Sequence, residues 1–187
     1  MAEIRLVRAA MQGDREAFAR IYERYARPVF WDLVARLERR EDAEDAVQAA
    51  FVAAWRALPQ LRRPERFAPW LFRIARNEAF DLARRDRPRL VRLDAIREPV
   101  APVSPEVAGA EAVRRALEGV KPASRAIVLL RVLEGWSAAE VAAAQGMSVS
   151  TVRRRYARAL EHLRRALDAR SEKNATHKPR RAHRAGL

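Results

Sequence analysis

The chain has 187 residues, with 38 Lys+Arg against 24 Asp+Glu, a formal net charge of +14, 49% hydrophobic residues and only six glycines. It contains no cysteine, which excludes disulfides and thiolate chemistry, and its three dispersed histidines do not form a metal site. No apolar run approaches the ~20 residues a membrane span needs, and the charge-punctuated start lacks a signal-peptide core, so a cytoplasmic location is expected.

Alanine, leucine, arginine and glutamate dominate, which predicts an all-α fold. The arginine excess attracts polyanions by counterion release; nucleic acid is the commonest polyanion, and an anionic membrane surface is the rival. The first periodic stretch, "GDREAFARIYERYARPVFWDLVARL", places Phe18, Ile21, Tyr22 and Tyr25 on one helix face, with Asp14 as N-cap. Val29, Phe30, Leu33, Val34 and Leu37 continue that face beyond Pro28. "EDAEDAVQAAFVAAW" follows at residues 41–55, with four acidic residues and no basic one inside a basic chain. Its Ala43, Val47, Ala50, Phe51 and Ala54, with Leu58 beyond it, form an apolar stripe. Asp45, Gln48 and Val52 share a flank away from it, with Glu44 at the edge. A solvated face would suffice to explain that flank. Its sharp charge separation also suits a positively charged protein groove, since carboxylates repel phosphate.

Pro69 opens the next helix, "WLFRIARNEAFDLARRDR". Leu71, Ile74, Ala75 and Leu82 turn to the core, whereas Arg73, Arg76, Asn77, Phe80 and Arg84 share another flank with Trp70 at its margin. Aromatic rings among cations suit unstacked bases, and an amide can bond a base edge that has left the stack. The plainer alternative places Trp70 and Phe80 in the core beside a solvated arginine face. Residues 88–110, with Pro88, Pro99, Pro102 and Pro105, read as a linker between a unit ending near Arg87 and a second spanning residues 111–170. Residues 171–187 read as a disordered basic tail.

The second unit has two supporting helices split at Pro122 and then a helix-turn-helix. Ser137 and Glu140 form a capping box, Gly146 ends that helix and Ser148 caps the next. In the second helix Val152, Tyr156, Ala159, Leu160, Leu163 and Leu167 form the buried stripe. Ser150, Arg154, Ala157 and Arg158 project opposite it, flanked by Arg153 and Arg155. Arginine there pairs with guanine edges or clamps phosphates. The chain has no Gly-rich phosphate loop, nucleophile motif or His–carboxylate cluster, so no catalytic residue, metal or cofactor is expected.

Together "GDREAFARIYERY", "DAEDAVQAAFVAAW", "FAPWLFRIARNEAFDLARR" and "LEGWSAAEVAAAQGMSVSTVRRRYARALEHLR" resemble the extracytoplasmic-function (ECF) group of bacterial RNA polymerase sigma factors, over roughly residues 12–86 and 111–167. The resemblance implies two small helical domains joined by a Pro-rich linker. One matches sigma region 2 (core binding, −10 recognition and melting) and the other the region 4 helix-turn-helix (−35 recognition). The core polymerase, through its β′ clamp helices and β subunit, would meet Asp42, Glu44, Asp45, Gln48 and Val52. Melted −10 DNA would meet the loop at about residues 58–67 and Trp70, Arg73, Arg76, Asn77, Phe80 and Arg84, with Asn77 lining a flipped-base pocket. The −35 duplex would meet Ser150, Thr151, Arg153, Arg154, Arg155, Ala157 and Arg158. An anti-sigma factor, often at the membrane, is a further implied partner; a small-molecule substrate is not.

Two departures stand out. Ala49 and Ala50 follow Gln48 where the family usually has Glu-Thr or similar, and the recognition helix carries Ser150 and Arg154 where small residues are common. Promoter sequence is therefore not transferable from relatives. The other reading of the residues is a stand-alone helix-turn-helix regulator with a helical dimerisation domain. It would need neither the acidic flank nor the aromatic-basic helix.

Overall fold

The computed structural model describes residues 2–85 and 105–176, and side chains over 3–84 and 112–169. Eight α-helices and no strand occur among the described residues. Helices α1 (Ala2–Met11), α2 (Arg15–Val34), α3 (Arg40–Ala57) and α4 (Phe67–Arg85) build the N-terminal unit, with short 3-10 turns at Leu58–Gln60 and Pro64–Arg66. Helices α5 (Pro105–Glu118), α6 (Pro122–Val132), α7 (Ala138–Gln145) and α8 (Val149–Thr176) build the C-terminal one.

Each start has a local cause. The Asp14 carboxylate accepts from the backbone N–H groups of Glu16 and Ala17 at 2.9 and 3.0 Å, satisfying two orphan donors of α2. Pro28 lies inside α2 without ending it, and Val29 and Leu33 behind it are fully buried. On α3 the whole expected stripe from Ala43 to Leu58 is buried, joined by Ala46. Phe67, Leu71, Phe72, Ala75 and Ala79 seat α4 against it.

The capping box at α7 is complete. Ser137 N–H donates to Glu140 Oε2 at 2.8 Å, and Glu140 N–H donates to Ser137 Oγ at 3.2 Å. The bond from the Ser137 backbone holds the Glu140 carboxyl below its ordinary value. Gly146 closes α7 at φ +64°, a left-handed position that favours glycine. Ser148 Oγ then accepts from Thr151 N–H at 3.2 Å to start α8.

The structure departs from expectation at two element ends and at two apolar positions. Helix α5 begins at Pro105, inside the expected linker, and α8 continues to Thr176, inside the expected tail; the rest of both segments lies outside the described residues. Leu160, expected in the buried stripe of α8, is 40% exposed, and Tyr22 on α2 is 43% exposed. Both lie at edges of their apolar arcs, where a cleft and not a neighbouring helix faces them.

The two helical units also pack together. Helix α6 lies against α2, and α7 against α4. One hydrophobic core runs from Val7 through Phe72 to Ile127, Leu130, Val141 and Val152. Trp136 is the aromatic wedge, 6.1 Å from the Tyr25 ring and 5.8 Å from that of Phe72.

Candidate protein and nucleic-acid interfaces

The stripe of α3 turns inward, and this leaves Glu44, Asp45, Gln48 and Val52 exposed together, with Asp42 half-buried. Arg40 pairs with Glu44 at 3.0 Å, while Arg39 reaches Glu41 and Asp42 at 3.7 and 4.0 Å. Val52 is 51% exposed, so an apolar contact stands beside the carboxylates. Gln48 and Val52 also border a cleft of about 580 Å³ between α2 and α3, whose walls include Phe18, Tyr22, Phe51 and Trp55. Phe18 packs on Trp55 at 4.8 Å, and Tyr22 on Phe51 at 4.7 Å. The sequence placed Phe18, Tyr22 and Tyr25 on one apolar helix face, and of these Tyr25 is buried in the core while Phe18 and Tyr22 border the cleft. Their spacing gives the helix face but not which edge of it lacks a neighbour.

On α4, Arg73, Asn77, Phe80 and Arg84 are exposed, and Phe80 is 62% exposed, which rules out the core position considered for it. The Arg84 guanidinium lies 5.7 Å from the Phe80 ring centroid. Trp70 is half-buried and tilted on Phe67 at 5.7 Å. Arg76 departs from the expected flank. It is half-buried, and its Nη1 donates to Asp32 Oδ2 at 3.4 Å. Burial lowers its pKa, an effect that Asp32 opposes and neighbouring Arg36 reinforces.

Asp32 itself was not singled out in the sequence. It is fully buried, and Arg36 holds it with two donors, Nε to Oδ2 at 3.2 Å and Nη2 to Oδ1 at 2.9 Å. From the other unit, Gln145 Nε2 donates to Asp32 Oδ1 at 2.6 Å and Gln145 Oε1 accepts from Arg36 Nη2 at 3.2 Å. A cleft of about 560 Å³ opens beside this node. It is walled by Arg62, Arg66, Trp70 and Arg73 on one side and by Gln145 and Gly146 on the other.

On α8, Ser150, Arg153, Arg154, Ala157 and Arg158 are exposed along the helix that follows the turn. Thr151 is half-buried, its hydroxyl bonded by Ser148 at 2.8 Å, and half-buried Arg155 reaches the Met147 sulfur at 3.5 Å. Arg153, Arg154 and Arg158 make this exposed face a cationic ridge. Among the described residues no cluster of three or more metal-ligating side chains occurs, and no helix is long and apolar enough to cross a membrane.

A third feature is an apolar groove of about 1200 Å³ between the end of α2 and helices α5, α6 and α8. Trp31, Leu117, Leu129, Leu133, Leu160 and Leu163 line its floor, and arginines including Arg36, Arg39, Arg125 and Arg164 stand on its rim.

Two helical units, one with a carboxylate flank beside an aromatic-cationic helix and the other a helix-turn-helix, define a transcription protein. Comparison with known proteins identifies which. The model of Sigma-70 region 2 matches residues 21–89, and that of Sigma-70 region 4 matches residues 110–163. The chain is 34% identical over 168 residues to the ECF RNA polymerase sigma factor SigM of Mycobacterium tuberculosis, covering 89% of this chain and 85% of that one. It is 34% identical over 171 residues to the ECF RNA polymerase sigma-E factor of Escherichia coli, covering 83% and 89%. The solved structure of CnrH in complex with the cytosolic domain of CnrY is similar at a TM-score of 0.64 and 31% identity, over 90% of this chain and 99% of that chain. The chain belongs to the sigma-70 family, in its ECF group.

Proposed function

We propose that this ECF sigma factor binds core RNA polymerase through the α3 flank, opens the −10 element with α4 and reads the −35 element with α8. The bond-forming chemistry is the polymerase's; this chain supplies recognition. The observation that carries the reading is the exposure of Asp45, Gln48 and Val52 on one face while the cationic residues of α4 and α8 project elsewhere. A carboxylate face repels the phosphate backbone and attracts a basic groove, so one chain offers an enzyme-binding surface and two DNA surfaces that do not compete. The aromatic cleft between α2 and α3 extends the polymerase-binding patch and gives the charged contacts an apolar centre.

On α4, Arg73 and Arg84 follow the phosphates of a separated strand, Trp70 and Phe80 offer ring faces for bases, and Asn77 bonds a base turned out of the stack. On α8, Arg154 and Arg158 stand where base edges are read, with Arg153 and Ser150 towards the backbone. A protein that acts with RNA polymerase on promoter DNA works in the cytoplasm, and no described helix is long and apolar enough to cross a membrane. The likeness to CnrH in its complex with the cytosolic domain of CnrY supports a protein partner of that kind for this chain too. The 1200 Å³ apolar groove with its arginine rim would seat an acidic amphipathic helix. A stand-alone regulator gains no support from the α3 flank.

The test is transcription from a library of random promoters by purified core polymerase with and without this protein. Transcripts that start only in its presence, from templates sharing two spaced elements, support the reading. A protein that binds DNA but leaves core polymerase inert would exclude it.

A further inference from the structure

Resting on that functional reading, we propose that Asp32 is the centre of an interdomain latch. It holds the free chain in a closed form in which the −10 cleft is blocked by the helix-turn-helix.

Three contacts make the latch. The Gln145 side chain, last in α7, spans two groups of the other unit, donating to Asp32 at 2.6 Å and accepting from Arg36 at 3.2 Å. The Glu134 carboxylate accepts from Trp31 Nε1 at 2.8 Å and pairs with Arg27 Nε at 3.3 Å. Trp136 wedges between Tyr25 and Phe72. The same Asp32 carboxylate draws in Arg76 of α4 at 3.4 Å. One buried anion therefore serves the docking of the second unit and the position of a cation in the first. Asp32 is a positioning residue, because it acts through Arg76 and Gln145.

The consequence for DNA is selective. Gln145 and Gly146 stand across the 560 Å³ cleft from Trp70 and Arg73, so a separated strand entering there meets the turn of the helix-turn-helix. In the same closed form Asp45, Gln48, Val52, Arg154 and Arg158 stay exposed. Closure leaves the polymerase-binding flank and the −35 ridge available and obstructs only the strand-capturing step. The polar part of the interface suits a latch, because Gln145, Glu134 and Asp32 can be taken up by water on release, while Trp136 and the shared apolar core hold the closed form. The apparent affinity for a single strand is then the intrinsic affinity reduced by the fraction of open chains.

The experiment uses the full chain, whose lack of cysteine allows clean labelling. Arg20→Cys and Glu161→Cys at exposed positions, one on each unit, carry spin labels for distance measurement. The same background receives Gln145→Ala or Trp136→Ala, both charge-neutral, so that a change in strand binding is not a change in net charge. Circular dichroism checks helicity, and Gln145→Ala decides the matter if Trp136→Ala fails to fold. The expected result is one narrow distance population in the parent and a longer, broader one in the variants. Binding of a short fluorescein-labelled oligothymidylate should be about tenfold tighter in the variants, the scale of one lost hydrogen bond to a charged group. A parent distribution already as broad as the variants' would overturn the latch, and so would opening without tighter strand binding. Failure of the parent to start transcripts with core polymerase would instead sink the functional reading and leave the distance result standing.

Discussion

Replacing Asp32 by alanine tests how the buried node is held together. The carboxylate is fully buried and accepts two bonds from Arg36, one from Arg76 and one from Gln145. Alanine leaves two guanidiniums facing each other with no anion between them. Removing one partner of a buried pair costs about 3–5 kcal/mol. Here the Arg36 and Arg76 side chains retain 25% and 26% exposure, so water reaches part of each charge. The loss should therefore fall at the low end, about 3 kcal/mol, which for a chain of this size lowers Tm by roughly 6–12 °C. Asp32→Asn keeps one acceptor but turns an amide N–H2 towards a cation, and should fall between wild type and alanine. Urea and thermal unfolding followed by circular dichroism measure both. The comparator is Glu16→Ala, which breaks an exposed i,i+4 pair with Arg20 and should cost under about 0.5 kcal/mol. If Asp32→Ala and Glu16→Ala lose equal stability, water already satisfies the arginines and the node contributes nothing to the packing of the units.

Asp45→Arg should weaken binding to core polymerase at least tenfold in a fluorescence titration, while −35 duplex binding stays within twofold, because the two surfaces lie on different units. Arg154→Ala should change the base preference of the −35 site in a library selection. An unchanged preference with weaker, more salt-sensitive binding would assign it to phosphate instead. Ser137→Ala should cost about 1 kcal/mol by removing the N-cap acceptor of α7. The contribution of Glu140 to that cap depends on pH with a defined sign. Its folded pKa is depressed below the ordinary 4.5, so the stabilisation is present above that value and is lost as pH falls through the folded pKa. Glu140→Gln and wild type should accordingly converge in stability under acid and diverge near neutrality.

Much of the fold was legible because it follows from local rules. The α3 stripe and the α7 capping box are set by spacings of three and four residues, and the left-handed Gly146 by the need to end a helix abruptly. The exposed flanks of α3 and α8 were legible for the same reason, since knowing which face is apolar fixes where the others point. Periodicity says less about arc edges. Leu160 and Tyr22 fit their stripes by angle, yet they face a groove and a cleft because no neighbouring element covers that edge. Element ends within Pro-rich or basic stretches were also misread. Proline at the first position of α5 starts a helix as readily as it breaks one.

Asp32 shows where one-dimensional reading stops. A lone carboxylate between Trp31 and Leu33, four residues before Arg36, reads as an ordinary surface ion pair on a helix. Its other partners, Arg76 and Gln145, are 44 and 113 residues away, and neither belongs to a motif that points to it. The position is nonetheless set by patterns that were visible. The apolar face of α2 is too broad for α1, α3 and α4 alone, and α6 takes the remainder, with Ala35 packed against Ala126 and Leu129. A polar residue caught between those two contacts has no route to water, so its charge must be met from both units. The breadth of the α2 face thus carried information about a second docking partner. Helical wheels drawn one at a time cannot reveal it, because they never ask whether the neighbours available can cover the arc.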